Sequence, residues 1–197
     1  MTSEYNEDNL VEQATSDILE NIGWEIKKAY KNEIFGKNGT LGRENKSEII
    51  LSKFLIPILK KLNPNLPEKV YTDAYIKIKE TQADQKLSKL NKDKYNLIKS
   101  GINIEFLNDN GEHVSQNIKV FDFNNPKNNH FLAVRQFEVQ GELYLRRPDI
   151  IGFVNGIPLV FLELKSTHRD LRHAFDDNLK DYKDTIPNLF NTNAFII

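Results

Sequence analysis

The sequence predicts an α/β fold in which helices flank a mixed central β-sheet. Apolar residues recur at helical spacing over 7–22, which is typical of an amphipathic helix; they are Val11, Ala14, Ile18 and Ile22. From residue 102 onward, short apolar runs are separated by turns that contain Asn and Gly, and this pattern indicates strands. A strand, an amphipathic helix over 169–185 and a final apolar run over 193–197 then follow each other. In most folds this order forms a right-handed parallel crossover.

The length of 197 residues predicts one domain, 1–197, with three parts. A first core helix covers 7–23, and a mostly helical insertion covers 30–100. A sheet core, with a hairpin and the helix that follows it, covers 101–197. The last apolar run, NAFII, stops without a turn or a helix cap. We therefore expect the chain to be the N-terminal fragment of a longer polypeptide.

The composition limits the class of function. Hydrophobic residues make up 39% and charged residues 28%, as in ordinary globular proteins. No apolar run approaches the length of a membrane span, and the polar start MTSEYNEDNL is no signal peptide. Cysteine is absent, which excludes disulfides, thiolate zinc sites and cysteine catalysis, and we expect a cytoplasmic protein. The net charge of −1 argues against a free-standing nonspecific DNA-binding protein, so any contact with nucleic acid must be local or shared with partner subunits.

The stretch RRPDIIGFVNGIPLVFLELKS, residues 146–166, contains two apolar runs about an Asn-Gly turn and carries the candidate chemistry. Glu163 and Lys165 are two apart and share one face of a strand, and Asp149 lies near the end of the partner strand. Two carboxylates that face one cavity repel each other, and a divalent cation with oxygen ligands, such as Mg²⁺, resolves this repulsion. A neighbouring ammonium can activate a water or stabilise charge on a phosphate. The set is suited to hydrolysing a phosphodiester, but from these residues alone a solvated strand face stays about equally open.

The register of this hairpin decides whether the site can form. A two-residue turn at 155–156 without further irregularity would set Asp149 opposite Leu162, on the face away from Glu163. An odd-residue correction is therefore required. The simplest form is a three-residue loop with Gly156 left-handed in a bulge, and otherwise a bulge lies nearer Asp149.

The same stretch resembles the PD-(D/E)xK nuclease hairpin in the R subunit of type I restriction–modification enzymes. The similarity extends backwards through NNHFLAVRQFEVQG and forwards through YKDTIPNLFNTNAFII, so that it covers 124–197, and more loosely the first helix. Residues 25–100 show no recognisable match. The resemblance implies a restriction-endonuclease-like core with a helical insertion. It also implies an Mg²⁺-dependent endonuclease domain at the N-terminus of a large ATP-driven DNA-translocating subunit.

The resemblance also implies roles for particular residues. Asp149 matches the metal-binding aspartate of the motif, Glu163 its second acidic ligand and Lys165 its catalytic lysine. Mn²⁺ is expected to be able to replace Mg²⁺. Related nucleases place a glutamate on the first helix, a little before a glycine that closes it, and Glu12 fits that spacing as a further ligand. Glu7 is the rival candidate, and a solvated helix glutamate is an equally good interpretation.

Supporting residues follow from the same resemblance and from charge. Related proteins carry Gln-x-x-x-Tyr on the helix after the lysine, where this sequence has the shorter amide Asn178 and then Tyr182. For Tyr182, a role in supporting the site and a role in core packing both remain open. Arg146 and Arg147 precede the aspartate and could hold a DNA phosphate or lie on a plain surface.

The predicted function is cleavage of double-stranded DNA within a type I restriction complex, with methyltransferase and specificity subunits as partners. No G-x-x-x-x-G-K-[ST] motif occurs, so ATP would act only in a C-terminal part of the full-length subunit. A stand-alone PD-(D/E)xK nuclease in DNA repair or defence is one alternative. A catalytically inactive nuclease-fold scaffold is another, and the intact Asp149, Glu163 and Lys165 argue against it.

Overall fold

A computed structural model describes residues 7–81, 85–108, 110–164 and 178–197 of the chain. The described helices are α1 Glu7–Asn21, α2 Ser52–Leu62, α3 Glu68–Lys79, α4 Leu87–Ser100 and α5 Lys180–Thr185. The strands are β1 Glu25–Lys28, β2 Ile102–Leu107, β3 His113–Ile118, β4 Phe131–Arg135, β5 Val139–Gln140, β6 Leu145–Arg146, β7 Ile150–Val154, β8 Ile157–Leu162 and β9 Phe195–Ile196. No helix within these ranges is long and apolar enough to cross a membrane.

Five strands form the central sheet in the order β1-β4-β7-β8-β9. The two outer pairs, β1 with β4 and β8 with β9, are parallel, and the two inner pairs are antiparallel. The sheet is therefore mixed, as predicted, and the final apolar run joins it parallel to β8. Of the helix predicted over 169–185, residues 169–177 lie outside the described residues, and α5 covers part of the remainder. The hairpin β2–β3 forms a two-stranded sheet of its own.

The three inner strands of the central sheet are buried or half-buried on both faces. One face includes Ala133, Ile150 and Leu162, against which Leu19 of α1 and Trp24 pack. The opposite face belongs to a larger core cluster that includes Val134, Ile151, Phe153, Phe161, Leu179, Ile186 and Phe190. Side chains alternate along each strand, so a residue's position in the strand decides which of these two layers it enters. This alternation places the site residues described below.

Helix α1 forms where it was predicted, but the stripe of apolar residues does not face the sheet. Ile18 and Ile22 are 63% and 68% exposed, whereas Glu12 and Ser16 are buried. The apolar stripe that identifies the helix is therefore not the face that packs on the sheet. The reason is a polar attachment: the buried Arg135 at the end of β4 forms an ion pair with Glu12. A buried guanidinium requires a carboxylate partner, and this requirement turns the helix.

The turn between β7 and β8 contains two residues, not three. Asn155 and Gly156 both have positive φ, 53° and 78°, and Val154 pairs with Ile157 across them. The Asn155 amide is fully buried: it accepts the His130 N–H at 2.7 Å and donates to the Val120 carbonyl at 2.9 Å. These bonds hold the left-handed turn. The predicted three-residue loop is therefore wrong.

A bulge further along the hairpin supplies the odd residue instead. Gly152 pairs with Val160 while Phe153 pairs with Pro158, so Leu159 has no opposite residue on β7. A Cβ at Gly152 would lie only 2.9 Å from the Trp24 ring and 3.0 Å from the Val160 Cβ, so a glycine is needed where the strands shift. The second form of the prediction, a bulge nearer the aspartate, is confirmed.

Candidate functional site

Three strand ends meet at one edge of the central sheet, and each carries a polar residue. The Gln136 N–H donates to the Asp149 carbonyl at 2.7 Å, which continues the β4–β7 ladder. On the other side Ile150 pairs with Leu162, so the next step sets Asp149 opposite Glu163. Cross-strand partners share a face. The bulge thus brings the two predicted carboxylates together.

Backbone and amide groups hold both carboxylates. The Leu164 N–H donates to Oδ2 of Asp149 at 2.7 Å, and the Asn178 amide donates to Oε1 of Glu163 at 2.9 Å. The Glu163 N–H in turn donates to the Ile197 carbonyl at 3.0 Å, beyond the end of β9. The shorter amide at 178 therefore still reaches the site. Fixed donors of this kind restrict the rotamers of a carboxylate.

Tyr182 closes the site on the side of α5. Its ring packs against Phe161 with centroids 5.3 Å apart, and its phenol lies close enough to Glu163 and Asp149 to interact with their charges. Burial raises the pKa of Tyr182 above its ordinary value, and the negative charges of Glu163 and Asp149 raise it further. The phenol therefore stays a neutral donor. Both roles considered from the sequence, core packing and support of the site, apply to this residue.

The pair of carboxylates could contribute two oxygen ligands to a divalent cation. Within the described ranges, no group of three or more His, Asp or Glu side chains is arranged to hold a metal ion. Mg²⁺ is commonly bound by one or two carboxylates, with water and substrate phosphate completing its shell. Asp149 and Glu163 provide two such oxygen donors on one face. Lys165 lies outside the described residues.

The structure does not bring Glu12 together with this pair. Both of its oxygens accept from the Gln136 amide, at 3.0 and 3.3 Å, and one also accepts from Arg135 at 3.2 and 3.3 Å. Arg135 alternates with Val134 along β4, so it points to the α1 face, whereas Asp149 and Glu163 point to the Tyr182 face. Glu12 is a buried anchor here, not a solvated helix glutamate.

Gln136 is a site residue that the sequence prediction missed. It has φ of 51°, its backbone N–H bonds Asp149, and its side chain bonds Glu12. Left-handed backbone in a residue other than glycine costs roughly 1 kcal/mol and is concentrated at functional sites. A glutamine in this conformation has no sequence signature, because Gly and Asn are the residues that usually mark it.

The two neighbouring arginines have different surroundings. Arg146 forms a two-pronged ion pair with Asp181, at 2.6 and 2.9 Å, and so ties β6 to the helix that carries Tyr182. Arg147 is exposed, and its guanidinium carbon lies 3.9 Å from the centroid of the Tyr30 ring. Only Arg147 is therefore available to a ligand without breaking an ion pair.

The known proteins that this chain resembles in sequence are subunits of type I restriction enzymes. The family described as "Type I restriction enzyme R protein N terminus" matches residues 4–197. The type I restriction enzyme HindI endonuclease subunit of Haemophilus influenzae is 36% identical over 194 residues, which is 96% of this chain and 18% of that protein. A putative type I restriction enzyme MjaIXP endonuclease subunit of Methanocaldococcus jannaschii is 34% identical over 193 residues, 94% of this chain and 18% of that protein. The resemblance is confirmed, and it extends through residues 25–100, where no match was recognised. The chain spans about a fifth of the length of these relatives.

Proposed function

Because the chain belongs to the family of type I restriction enzyme R protein N termini, we propose that it is the Mg²⁺-dependent endonuclease domain of a type I restriction enzyme. Its substrate is double-stranded DNA, and it acts in the cytoplasm with methyltransferase and specificity subunits. ATP-driven translocation belongs to the rest of the full-length subunit. The fold is that of a restriction-endonuclease-like PD-(D/E)xK core.

One observation carries this proposal: the bulge at Leu159 sets Asp149 opposite Glu163 at the end of a strand pair buried on both faces. Carboxylates are rarely placed side by side at the edge of a core without a cation to neutralise them. Their fixed donors, from Leu164 and Asn178, orient them before substrate binds. Preorganised oxygen ligands of this kind are what hydrolysis of a phosphodiester requires.

Each residue then has a chemical task. Asp149 and Glu163 would hold Mg²⁺, and a bound Mg²⁺ supplies a polarised phosphoryl oxygen and a more acidic water. Asn178 fixes the Glu163 carboxylate, and Tyr182 closes the site beside it. Lys165 follows Glu163 by two residues. Its ammonium would donate a hydrogen bond to the attacking water or stabilise the negative charge that builds on the phosphate. Glu12 and Arg135 attach α1 to the back of the sheet.

Plasmid cleavage by the complete restriction enzyme tests the proposal. Asp149→Asn, Glu163→Gln and Lys165→Ala each abolish cleavage and leave ATP-driven translocation intact, because they change the nuclease site and not the motor. Glu105→Gln is the matched control, since Glu105 is an exposed carboxylate on β2. Cleavage at the unsubstituted rate by any of the three would remove that residue from the mechanism. Cleavage by the 197-residue chain alone would favour the stand-alone nuclease, and an enzyme inactive without any substitution would favour the scaffold.

A further inference from the structure

One aromatic ring beside the candidate site carries two cations. Tyr30 follows β1, and its ring centroid lies 3.9 Å from the Arg147 guanidinium carbon and 5.1 Å from the Lys31 ammonium. Both cations are exposed, and neither has a carboxylate partner within the described parts of the chain. Cation–π contacts hold each side chain in place. Two positive charges held on one ring repel each other, so an anion that binds both would stabilise the arrangement.

These cations lie at the same edge of the sheet as the carboxylates. Strand β1 runs parallel to β4, and the Ala29 N–H bonds the Arg135 carbonyl at 3.0 Å, so Tyr30 follows directly beyond the end of β4. Arg147 precedes Asp149 by two residues, which limits the distance between their Cα atoms to about 7 Å. An anion on the ring would therefore be close to whatever the carboxylates bind.

The position of the Arg147 guanidinium over the Tyr30 ring suits a phosphate. A guanidinium that lies against an aromatic face keeps its N–H donors in its own plane, where they can form two parallel bonds to phosphate oxygens. Arg146 does not have this freedom, because Asp181 occupies its donors. The ring also restricts the rotamers of Arg147 before DNA arrives, which lowers the entropy lost on binding.

We propose that Arg147 and Lys31, organised on the Tyr30 ring, bind a DNA backbone phosphate next to the one held at Asp149 and Glu163. The inference rests on the proposed function in taking DNA as the substrate. It would give a chain with net charge −1 a local contact with DNA, because two cations lie at the edge of the sheet that carries the candidate carboxylates. The phosphate contact positions the duplex and reads no sequence.

Binding of a fluorescent DNA duplex to the 197-residue chain, without divalent metal and over a range of salt concentrations, tests this surface. Arg147→Ala is expected to weaken binding about three- to tenfold at low salt and to reduce the slope of log K against log salt by about one. Tyr30→Leu weakens binding less, since the charges remain, while Arg147→Lys retains most of the affinity. Lys99→Ala is the matched control, because Lys99 lies over the exposed Tyr95 ring at 5.6 Å on α4.

Two outcomes would overturn the proposal. In the first, the Arg147→Ala chain binds duplex with the same affinity and salt slope as the Lys99→Ala chain. In the second, the unsubstituted chain binds no duplex at low salt. The test is separate from that of the nuclease site. Asp149→Asn removes a metal ligand and is expected to bind duplex without metal at least as tightly as the unsubstituted chain. If the Asp149→Asn enzyme cleaves DNA and the Arg147→Ala chain binds duplex weakly, the metal site is rejected and the phosphate contact is retained.

Discussion

Two long hairpins in the described part of the chain differ in regularity. In β2–β3 six pairs follow one unbroken register, from Ile102 with Ile118 to Leu107 with His113, and buried residues on β2 alternate with exposed ones. In β7–β8 nearly every residue is buried or half-buried, and the register shifts by one at Leu159. When one face of a hairpin is exposed to solvent, the alternation of apolar and polar residues sets its register. In a hairpin that is buried on both faces, hydrophobic alternation does not determine the register. The bulge then decides which side chains share a face.

The largest effect is expected from a second extra residue on β8. An alanine inserted after Leu159 would move Glu163 off the face of Asp149, because the strand already holds one residue without a partner. Misplacing a catalytic group by an ångström costs about a hundredfold in rate, so plasmid cleavage should fall at least that far. Deletion of Leu159 is the control: it makes β7–β8 as regular as β2–β3 and leaves Asp149 opposite Glu163. An insertion variant that cleaves faster than the deletion variant would contradict the register argument.

The turn end of the same hairpin should govern stability, not chemistry. Asn155→Ala removes hydrogen bonds to His130 and Val120 and leaves alanine with left-handed backbone, for an expected loss of about 2–4 kcal/mol in the free energy of unfolding by urea. Asn65→Ala separates the two causes, since Asn65 has φ of 64° but is exposed. Equal losses in the two variants would mean that backbone strain alone matters.

Gln136→Gly should lower stability while the site is retained. Glycine accepts φ of 51° and keeps the N–H to Asp149, but it loses the amide that bonds Glu12. Loss of a hydrogen-bond donor to a buried carboxylate typically costs about 1–3 kcal/mol, so the free energy of unfolding by urea should fall by that amount while the Mn²⁺ concentration for half-maximal cleavage stays unchanged. Asn65→Gly, at the remote left-handed position, should leave both quantities nearly unchanged. A raised metal requirement in Gln136→Gly would show that the Gln136 amide also orients the metal site.

The smallest effect is expected at alkaline pH. The pKa of Tyr182 is raised above 10.0 in the folded chain, so the folded state holds this proton more tightly than the unfolded state. The associated stability is complete below pH 10 and is lost as the pH rises beyond it. Tyr182→Phe should therefore lose less stability than the unsubstituted chain between pH 9 and about pH 11, measured by urea midpoints. Tyr75, whose pKa burial also raises, is present in both proteins and cancels.

Sequence reasoning placed Asp149 and Glu163 on one face of the hairpin on condition that one strand contains an odd extra residue, because side chains alternate between the two faces of a strand. It did not locate that residue. The turn at Asn155 is held by His130 and Val120, which lie elsewhere in the chain, and turn propensity contains no information about them. Gly152 at the register shift has no sequence signature either, because the ring that requires a glycine there belongs to Trp24, far away in the sequence.

The orientation of helix α1 could not be predicted for a related reason. Periodicity identified the helix correctly, but its apolar stripe is not the inner face, because an ion pair with the distant Arg135 buries Glu12. An apolar stripe predicts the inward face only when apolar contacts are what attach the helix. At Arg135 and Gln136 the attachment is ionic and hydrogen-bonded. Such tertiary exceptions concentrate near sites, where polar groups are retained in the interior.

The place of β1 in the sheet has a consequence for how the chain acquires its fold. Glu25 pairs with Leu132, more than a hundred residues later, so β1 leaves the ribosome long before its partner does. At about 5–20 residues per second this strand waits roughly 5–20 s with its backbone unpaired. Its sequence, Glu-Ile-Lys-Lys, has three charges in four residues. Charged strands resist pairing with other nascent chains. Strand β1 is therefore suited to remain unpaired with other chains during synthesis until β4 has been made.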